Sequence, residues 1–230
     1  MNPGLRLKAA ADAVRPHKKV VDVGTDHAYL PAYLVLTGKA TQVLAVDIGM
    51  GPLENARKTV EKYALSDRIG LRISDGLQAV QPQEAEDICL CGMGGTLMRA
   101  ILSACPWLQK EDIHLVLQPQ SHVWEVREFL FAKGFRIDSG HVLCDGGKLY
   151  ITMSVFYDGS ARDCAPGICY FGSLLSRKDE NTLAYVRNLH HHLQIRLQAL
   201  TKAGIANKET AAILQCLQYY EKNTNLGGKK

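Results

Sequence analysis

The 230-residue sequence contains no run of the roughly 18 apolar residues that a helix needs to cross a bilayer. Its first segment, MNPGLRLKAAADAV, also lacks the continuous apolar centre of a secretion signal. Hydrophobic residues make up 47% of the chain and charged residues 22%, proportions that allow a sizeable buried core. We therefore predict a globular protein of the cytoplasm with no membrane partner.

Paired metal-ligand motifs are missing as well. The seven cysteines occupy positions 89, 91, 105, 144, 164, 169 and 216, and no two of them form a C-x-x-C unit. An odd number of cysteines without a secretion signal favours reduced thiols. His190, His191 and His192 are consecutive, and neighbouring helical positions diverge by about 100°, so their side chains cannot converge on one ion. The sequence therefore predicts no metal.

A complete dinucleotide-binding loop is also absent, although residues 20–31, VVDVGTDHAYLP, begin like one. The apolar run predicts a buried strand, Gly24 ends it, and helical residues follow. A G-x-G-x-x-G loop presents bare backbone to a pyrophosphate, whereas Asp26 takes the place of the second glycine here. Because a carboxylate suits a cation better, we assign Asp22, Gly24 and Thr25 to a site for S-adenosylmethionine, which carries sulfonium and ammonium groups.

Acidic residues close the next two predicted strands. Asp47 ends QVLAVD, 25 residues after Asp22, where it could accept hydrogen bonds from ribose hydroxyls; a solvent-facing acid in a loop is the alternative. Asp75 follows RIGLRIS, where it could accept from the exocyclic amine of adenine. Together with the adjacent Ile48 and Gly76, these residues extend the predicted cofactor site along the edge of the sheet.

A glycine-rich segment follows the fourth predicted strand, DICLC. Gly92, Met93 and Gly94 come directly after it, and glycines at this place indicate a sharp turn that a ligand approaches closely. We assign these three residues to the cofactor site. We also expect Thr96 to act as the N-cap of the next helix.

The order of predicted elements indicates an α/β fold. Strands and helices alternate along a doubly wound sheet, and then two strand-like runs, FRIDSGHVLCD and KLYITMSVFY, are separated by Gly146 and Gly147. A terminal antiparallel hairpin is typical of class I S-adenosylmethionine-dependent methyltransferases, which have a Rossmann-like sheet, whereas dehydrogenases usually continue in parallel. We predict this domain over residues 1–157.

The remaining sequence predicts a helical unit. Residues 158–167 are polar and irregular, which is typical of a linker. Apolar residues then recur every three or four positions in two segments separated by a turn. We predict an antiparallel coiled-coil hairpin, with basic residues on its exposed sides, as a second domain over residues 168–226.

These motifs resemble those of a known family, the bacterial tRNA (adenine-22, N1)-methyltransferases, or TrmK family. The resemblance rests on VVDVGTDHAYLP, AVDIG, SDGL, CGMGG, LVLQP and DGGKLYI in that order. It covers the first 157 residues, and the helical tail by architecture only. It implies a Rossmann-like domain that binds S-adenosylmethionine and methylates N1 of an adenine in the D-arm region of tRNA. Cofactor contacts are then implied for Gly24, Asp47, Asp75 and residues 92–94.

The segment after the fourth strand agrees with attack by a ring nitrogen. Enzymes that methylate exocyclic amines generally carry [DN]-P-P-[YFW] there, but this sequence has Cys91, Gly92, Met93, Gly94. N1 of adenine already carries a lone pair, so catalysis needs alignment and stabilisation of a cationic product.

The candidate catalytic residues follow Gly24. We hypothesise that Asp26 stabilises the cationic product, that Tyr29 helps to hold the base, and that His27 orients the substrate or has a structural role. Contact with the cofactor's ammonium group and helix capping are the alternatives for Asp26.

Basic residues surround the opening strand. The chain has 27 basic and 23 acidic residues, and its net charge of +4 permits binding to a polyanion without requiring it. We assign RNA binding to the following basic residues, which we expect near the active face: Arg6, Lys8, Arg15, Lys18 and Lys19. We expect tRNA as the partner and favour a monomer. A methyltransferase of another RNA, a small molecule or a protein, and a non-catalytic RNA-binding module with a degenerate cofactor fold, remain the alternatives.

Overall fold

The computed structural model describes residues 1–224. Its strands are β1 (Lys18–Val23), β2 (Ala40–Asp47), β3 (Ile69–Ile73), β4 (Asp87–Cys91), β5 (His114–Gln118), β6 (Phe135–Asp145) and β7 (Lys148–Tyr157). Its α-helices are α1 (Leu5–Ala13), α2 (Tyr29–Leu36), α3 (Met50–Lys62), α4 (Gly95–Ser103), α5 (Val123–Ala132), α6 (Pro166–Tyr170), α7 (Glu180–Lys202) and α8 (Lys208–Thr224).

All seven strands belong to one sheet, in the order β3-β2-β1-β4-β5-β7-β6. The strands β1 to β5 pair in parallel, whereas β7 is antiparallel to both β5 and β6. Gly146 and Gly147 join β6 to β7 with φ angles of 57° and 77°, as a two-residue type I′ turn requires. The predicted doubly wound sheet with a terminal antiparallel hairpin is confirmed.

Two apolar layers cover the faces of the sheet. Successive side chains of a strand point to opposite faces, so Val21 and Val23 belong to one buried cluster and Val20 to the other. The first cluster packs α4 and α5 against the sheet, and the second packs α1, α2 and α3. The carboxyl ends of the parallel strands meet at one open edge between these layers.

The carboxyl-terminal helices share the first of these clusters. Val186, Leu193 and Leu200 of α7, with Ile213 and Cys216 of α8, are buried in the same cluster as Leu90 of β4 and Leu115 of β5. The helices α7 and α8 form the predicted hairpin. A division into domains over 1–157 and 168–226 stays a prediction, and residues 225 and 226 lie outside the described residues.

Two local predictions are wrong. Thr96 does not cap α4, because the helix begins at Gly95 and the N-cap is Gly94; the Thr96 hydroxyl instead donates to Glu125 Oε2 at 3.2 Å. The prediction of reduced thiols fails for Cys164 and Cys169, which form a disulfide.

No helix within residues 1–224 is long and apolar enough to span a membrane. Over the same residues, no group of three or more His, Cys, Asp and Glu side chains is arranged to hold a metal ion.

Candidate active site

A pocket of about 280 Å³ lies where β1 and β4 end and α2 begins. Six residues predicted as cofactor-binding or catalytic line it, namely Asp22, Gly24, Thr25, Asp26, His27 and Tyr29. Arg6, predicted to bind RNA, also lines it, together with Leu7, Ala28, Leu30 and Cys91. Because β1 has β2 on one side and β4 on the other, this edge is the switch point at which open α/β sheets bind ligands.

Gly24 allows the chain to turn sharply out of β1. Its φ angle is 79°, and the N–H groups of Gly24 and Thr25 both donate to the carbonyl oxygen of Val46, at 2.9 and 3.1 Å. A Cβ atom at Gly24 would lie 3.2 Å from Cε of Met93. The turn therefore needs glycine for its backbone angle and for the close approach of the Met93 side chain.

Asp22 places a buried carboxyl group in the pocket wall. Only 6% of the residue is exposed, and burial raises the pKa of the carboxyl to about 6. The nearby Thr25 hydroxyl and the Arg6 guanidinium offset this rise only in part. A carboxyl group and a guanidinium therefore share one small pocket, which suits a ligand carrying both an ammonium and a carboxylate group.

Thr25 provides a test of whether a polar ligand fits. Its Oγ1 atom is buried and lies close enough to the Asp22 carboxyl to lower the pKa of that group, but it makes no hydrogen bond of good geometry within residues 1–224. Leaving a buried hydroxyl unpaired costs about 1 to 3 kcal/mol, so a ligand atom that pairs with it would recover that energy. Asp22, Thr25 and Arg6 together fit the charged amino-acid end of S-adenosylmethionine.

Asp26, His27 and Tyr29 stand at the mouth of the pocket. The Asp26 side chain is 65% exposed, and its Oδ2 lies 3.3 Å from Nε2 of His27. The rings of His27 and Tyr29 stack, with centroids 5.1 Å apart. Asp26 does not cap α2, whose N-cap is Ala28 with a φ of 50° and no side-chain cap bond. The carboxylate is therefore available to a ligand.

The other strand ends lie along the same edge but do not line this pocket. Asp47 Oδ1 accepts from the backbone N–H of Gly49 at 2.8 Å, which fixes the carboxylate at the end of β2. Asp75 is exposed and accepts from Gln78 Nε2 at 3.3 Å, and Ile48 is also exposed. Gly76 has a packing reason for its identity, because a Cβ there would lie 2.9 Å from two side-chain atoms of Ile101.

The glycine-rich segment after β4 does not line the pocket itself but passes beside Arg6, which does. Gly92 has a φ of 86°, and a Cβ at this position would lie 3.3 Å from Nη1 of Arg6. Gly94 is the N-cap of α4, and the next N–H, of Gly95, donates to Ser121 O at 2.8 Å. The backbone of this segment is therefore held between Arg6 and the loop after β5.

Three of the predicted RNA-binding residues lie at the opposite edge of the sheet. Lys18 and Lys19 begin β1, and Arg15 precedes it, so they sit at the amino ends of the strands. Arg15 Nε is 2.7 Å from Asp87 Oδ1, and Lys18 Nζ is 2.7 Å from Glu86 Oε1. The expectation that they lie near the active face is wrong, because a residue preceding a strand is a strand's length from its carboxyl end.

Arg6 and Lys8 lie on α1, at the correct edge. Arg6 lines the pocket, and Lys8 is half-buried two residues along the same helix. Sequence reasoning missed Leu7, Ala28, Leu30 and Cys91 as lining residues and assigned Arg6 to RNA binding. The strand DICLC ends at Cys91, and a position at the carboxyl end of a predicted strand could have identified this residue as part of the site.

Sequence and structure comparisons agree with this geometry. Residues 4–153 match a family model described as a methyltransferase domain. A tRNA (adenine(22)-N(1))-methyltransferase of Bacillus subtilis is 37% identical over 145 residues, which are 63% of this chain and 61% of that protein. The match thus spans about three fifths of that relative's length.

Solved structures extend the similarity to nearly the whole chain. The Bacillus subtilis M1A22 tRNA methyltransferase TrmK superposes with a TM-score of 0.85 at 26% identity, covering 96% of this chain and 98% of that one. A Streptococcus pneumoniae protein in complex with S-adenosyl-L-methionine gives a TM-score of 0.80 at 26% identity, covering 95% and 98%. The resemblance drawn from the motifs is confirmed.

Proposed function

The chain belongs to the methyltransferase domain family, and from that premise we propose that it transfers a methyl group from S-adenosylmethionine to N1 of adenine 22 in tRNA. The observation that carries the proposal is the pocket itself. It combines a buried carboxyl, a guanidinium and an unpaired hydroxyl with an exposed carboxylate at its mouth. The relatives of this chain that are named for this reaction support the choice of substrate.

The cofactor's charged groups are assigned to the pocket wall. Asp22 receives the ammonium group, Arg6 the carboxylate and Thr25 Oγ1 a further polar atom, because these three side chains line the pocket together. This assignment moves Arg6 from RNA binding to cofactor binding. Asp47 with Ile48 and Asp75 with Gly76 extend the site toward the ribose and adenine, and the backbone of residues 92–94 closes it.

When bound, S-adenosylmethionine supplies a methyl group that N1 of adenine takes from the sulfonium, so that a neutral thioether leaves and the base becomes cationic. No general base is needed to activate N1 of adenine, because its lone pair is free at neutral pH. Asp26 stabilises the positive charge that develops on the base. His27 fixes Asp26 by the 3.3 Å contact, and Tyr29, stacked on His27, supports the base.

The substrate must present an unpaired adenine, because base pairing hides N1. We propose that the protein binds tRNA, acts as a monomer and is located in the cytoplasm. Lys8 remains a proposed phosphate contact. Arg15 and Lys18 are left out because of their ion pairs and position, and Lys19 because of its position alone.

The test is incubation of the protein with unmodified tRNA carrying adenine 22 and with methyl-labelled S-adenosylmethionine. Digestion to nucleosides should give labelled 1-methyladenosine, and a transcript with guanine at position 22 should give none. Cofactor binding without labelled RNA would contradict the assignment of tRNA. Label in another nucleoside would contradict the assignment of N1.

A further inference from the structure

We propose that a groove along α7, next to the cofactor pocket, binds unpaired nucleotides of the RNA substrate. This inference rests on the proposed function and names the surface that the RNA uses. The α7 groove, of about 600 Å³, is defined by Gln120, Lys148, Tyr150, Tyr185, Asn188 and His192. It lies between the loop after β5, the tip of the β6–β7 hairpin and one face of α7.

Gly92 lies between a residue of the groove and a residue of the cofactor pocket. A Cβ built on Gly92 would lie 3.3 Å from Nη1 of Arg6, which lines the pocket, and 3.8 Å from Nε2 of Gln120, which lines the groove. The Gln120 N–H donates to Met93 O at 2.9 Å, and the Arg6 guanidinium lies 5.9 Å from the ring centre of Tyr150. A nucleotide in the groove is thus beside the base that would enter the pocket.

A second hollow, of about 320 Å³, continues the groove along α7. It shares Gln120, Tyr185, Leu189 and His192 with the first and ends near Trp124 and Tyr170, whose rings stack at 5.5 Å. The two hollows together give a track with room for more than one nucleotide. The track runs away from the cofactor pocket.

The side chains of the track suit a single-stranded polyanion. Among the described residues that line the two hollows there is no Asp or Glu, whereas Lys148, Arg196 and three histidine or tyrosine rings of the groove are present. Flat rings stack on unpaired bases, and amides such as those of Gln120 and Asn188 can bond to base edges. Lys148 at one end of the track suits a phosphate, whereas Arg196 at the other end is paired with Glu209, whose Oε1 lies 2.7 Å from Arg196 Nε.

RNA fits this surface better than a second copy of the chain does. The centre of a stable protein interface is depleted of charged side chains, lysine among them. Here Lys148 and the exposed amides of Gln120 and Asn188 line the groove beside its rings. A dimer is therefore an outcome that the experiment must detect, and RNA is the occupant that we assign.

The experiment compares two double variants on α7. Asn188→Ala with His192→Ala removes two exposed groove side chains, whereas His191→Ala with Gln194→Ala removes two exposed side chains of the same helix that do not line the groove. Both are measured for the KM of unmodified tRNA, for the turnover number and for S-adenosylmethionine affinity by calorimetry.

We expect the groove variant to raise the KM for tRNA about tenfold or more, the loss typical of one stacked base, with cofactor affinity unchanged. The control variant should remain within twofold of the wild type. An equal KM in the two variants would overturn the inference while leaving the proposed function intact. A wild type that binds the cofactor but methylates no tRNA would refute the proposed function instead.

Two further measurements address phosphate contact and self-association. Lys148→Ala should reduce the slope of log affinity against log salt by about one, whereas Lys110→Ala, before β5 at the other edge, should not change it. Unchanged slopes in both variants would contradict a phosphate contact in the groove. Light scattering that shows a wild-type dimer, converted to a monomer by the groove variant, would assign the surface to a second copy.

Discussion

Gln118 holds Arg6 from two directions. Its Oε1 accepts from Nη1 of Arg6, and its Nε2 donates to the carbonyl oxygen of Arg6, both at 3.0 Å. Gln118 is fully buried at the end of β5, and Nε2 also donates to Thr152 Oγ1 at 2.8 Å. An amino-terminal helix is thereby fixed to the middle of the sheet, with its guanidinium directed at the candidate cofactor pocket.

We predict that Gln118→Leu weakens cofactor binding about tenfold with little change in the turnover number at saturating cofactor. The leucine side chain cannot hydrogen-bond to Arg6. The Arg6 guanidinium is then free to move in the unliganded protein, and the cofactor must restrict that motion when it binds. Calorimetry and steady-state kinetics measure the two effects. Thr152→Val removes only the other partner of Gln118 and is the matched control. Equal losses in both variants would mean that Gln118 has a structural role alone.

Asp22→Asn should separate stability from binding. The raised pKa means that the folded protein binds more protons than the unfolded chain between about pH 4 and pH 6. The stability of the ligand-free wild type should therefore fall as the pH rises through that window. The asparagine variant does not lose stability in this way. Its free energy of unfolding, relative to that of the wild type, should therefore be on the order of 2 kcal/mol more favourable at pH 8 than at pH 4.

Urea unfolding at the two pH values measures this difference, and the exposed Asp67→Asn serves as the control. Cofactor affinity should be lower in Asp22→Asn than in the wild type above about pH 6, where the wild-type carboxyl is charged, and the two should converge at lower pH. In the wild type it should weaken as the pH drops below about 6, because protonation removes the charge opposite the ammonium group. A pH-independent wild-type affinity between pH 5 and pH 8 would contradict this role for Asp22.

Asp26→Asn should lower the turnover number about tenfold to hundredfold and leave the cofactor dissociation constant within threefold. The carboxylate is exposed at the pocket mouth, where it stabilises charge that appears only during transfer. Asp47→Asn should show the reverse pattern, with weaker cofactor binding and little change in turnover at saturation. Single-turnover kinetics with tRNA measure the first effect, and an unchanged Asp26→Asn rate would exclude its catalytic role.

Asp87→Asn should destabilise the fold by about 3 to 5 kcal/mol, because it removes one partner from a buried ionic cluster. Asp87 is fully buried, with its oxygens 2.7 Å from Arg15 Nε and from His114 Nδ1. His114 Nε2 in turn lies 2.6 Å from Ser154 Oγ. Denaturant unfolding measures the loss.

The same cluster gives a test of Arg15. Arg15→Ala should reduce stability but leave the salt dependence of tRNA binding unchanged, because its guanidinium is occupied by Asp87 and by two backbone carbonyls. A smaller salt slope in this variant would restore Arg15 to the RNA-binding set.

Local sequence signals predicted much of the candidate site. A strand that ends in Gly24 places Asp22 and Asp26 correctly, because backbone turns are determined by neighbouring residues. The link between Arg6 and Gln118 joins residues 112 positions apart, and no local pattern predicts such a contact. The sequence analysis therefore did not predict the hydrogen bonds between Arg6 and Gln118.

The errors also have local causes. Proximity to β1 in sequence suggested that Lys18 was near the pocket, but position before a strand means the opposite edge. Thr96 has the chemistry of an N-cap, yet α4 starts one residue earlier. Gly95 lies so close to the Ser121 and His122 backbone that a Cβ there would be 2.5 Å away.

The helix α7 and the sheet share one buried core, which packs the groove and the pocket onto the same framework. Leu193 and Leu200 lock the helix onto the same cluster as the strands, so its separation from the Gly24 turn cannot vary freely. RNA bound in the proposed groove along α7 would then lie at a fixed distance from the cofactor pocket. The nucleotide that reaches the methyl group would be selected by its distance from the bound segment as well as by its base.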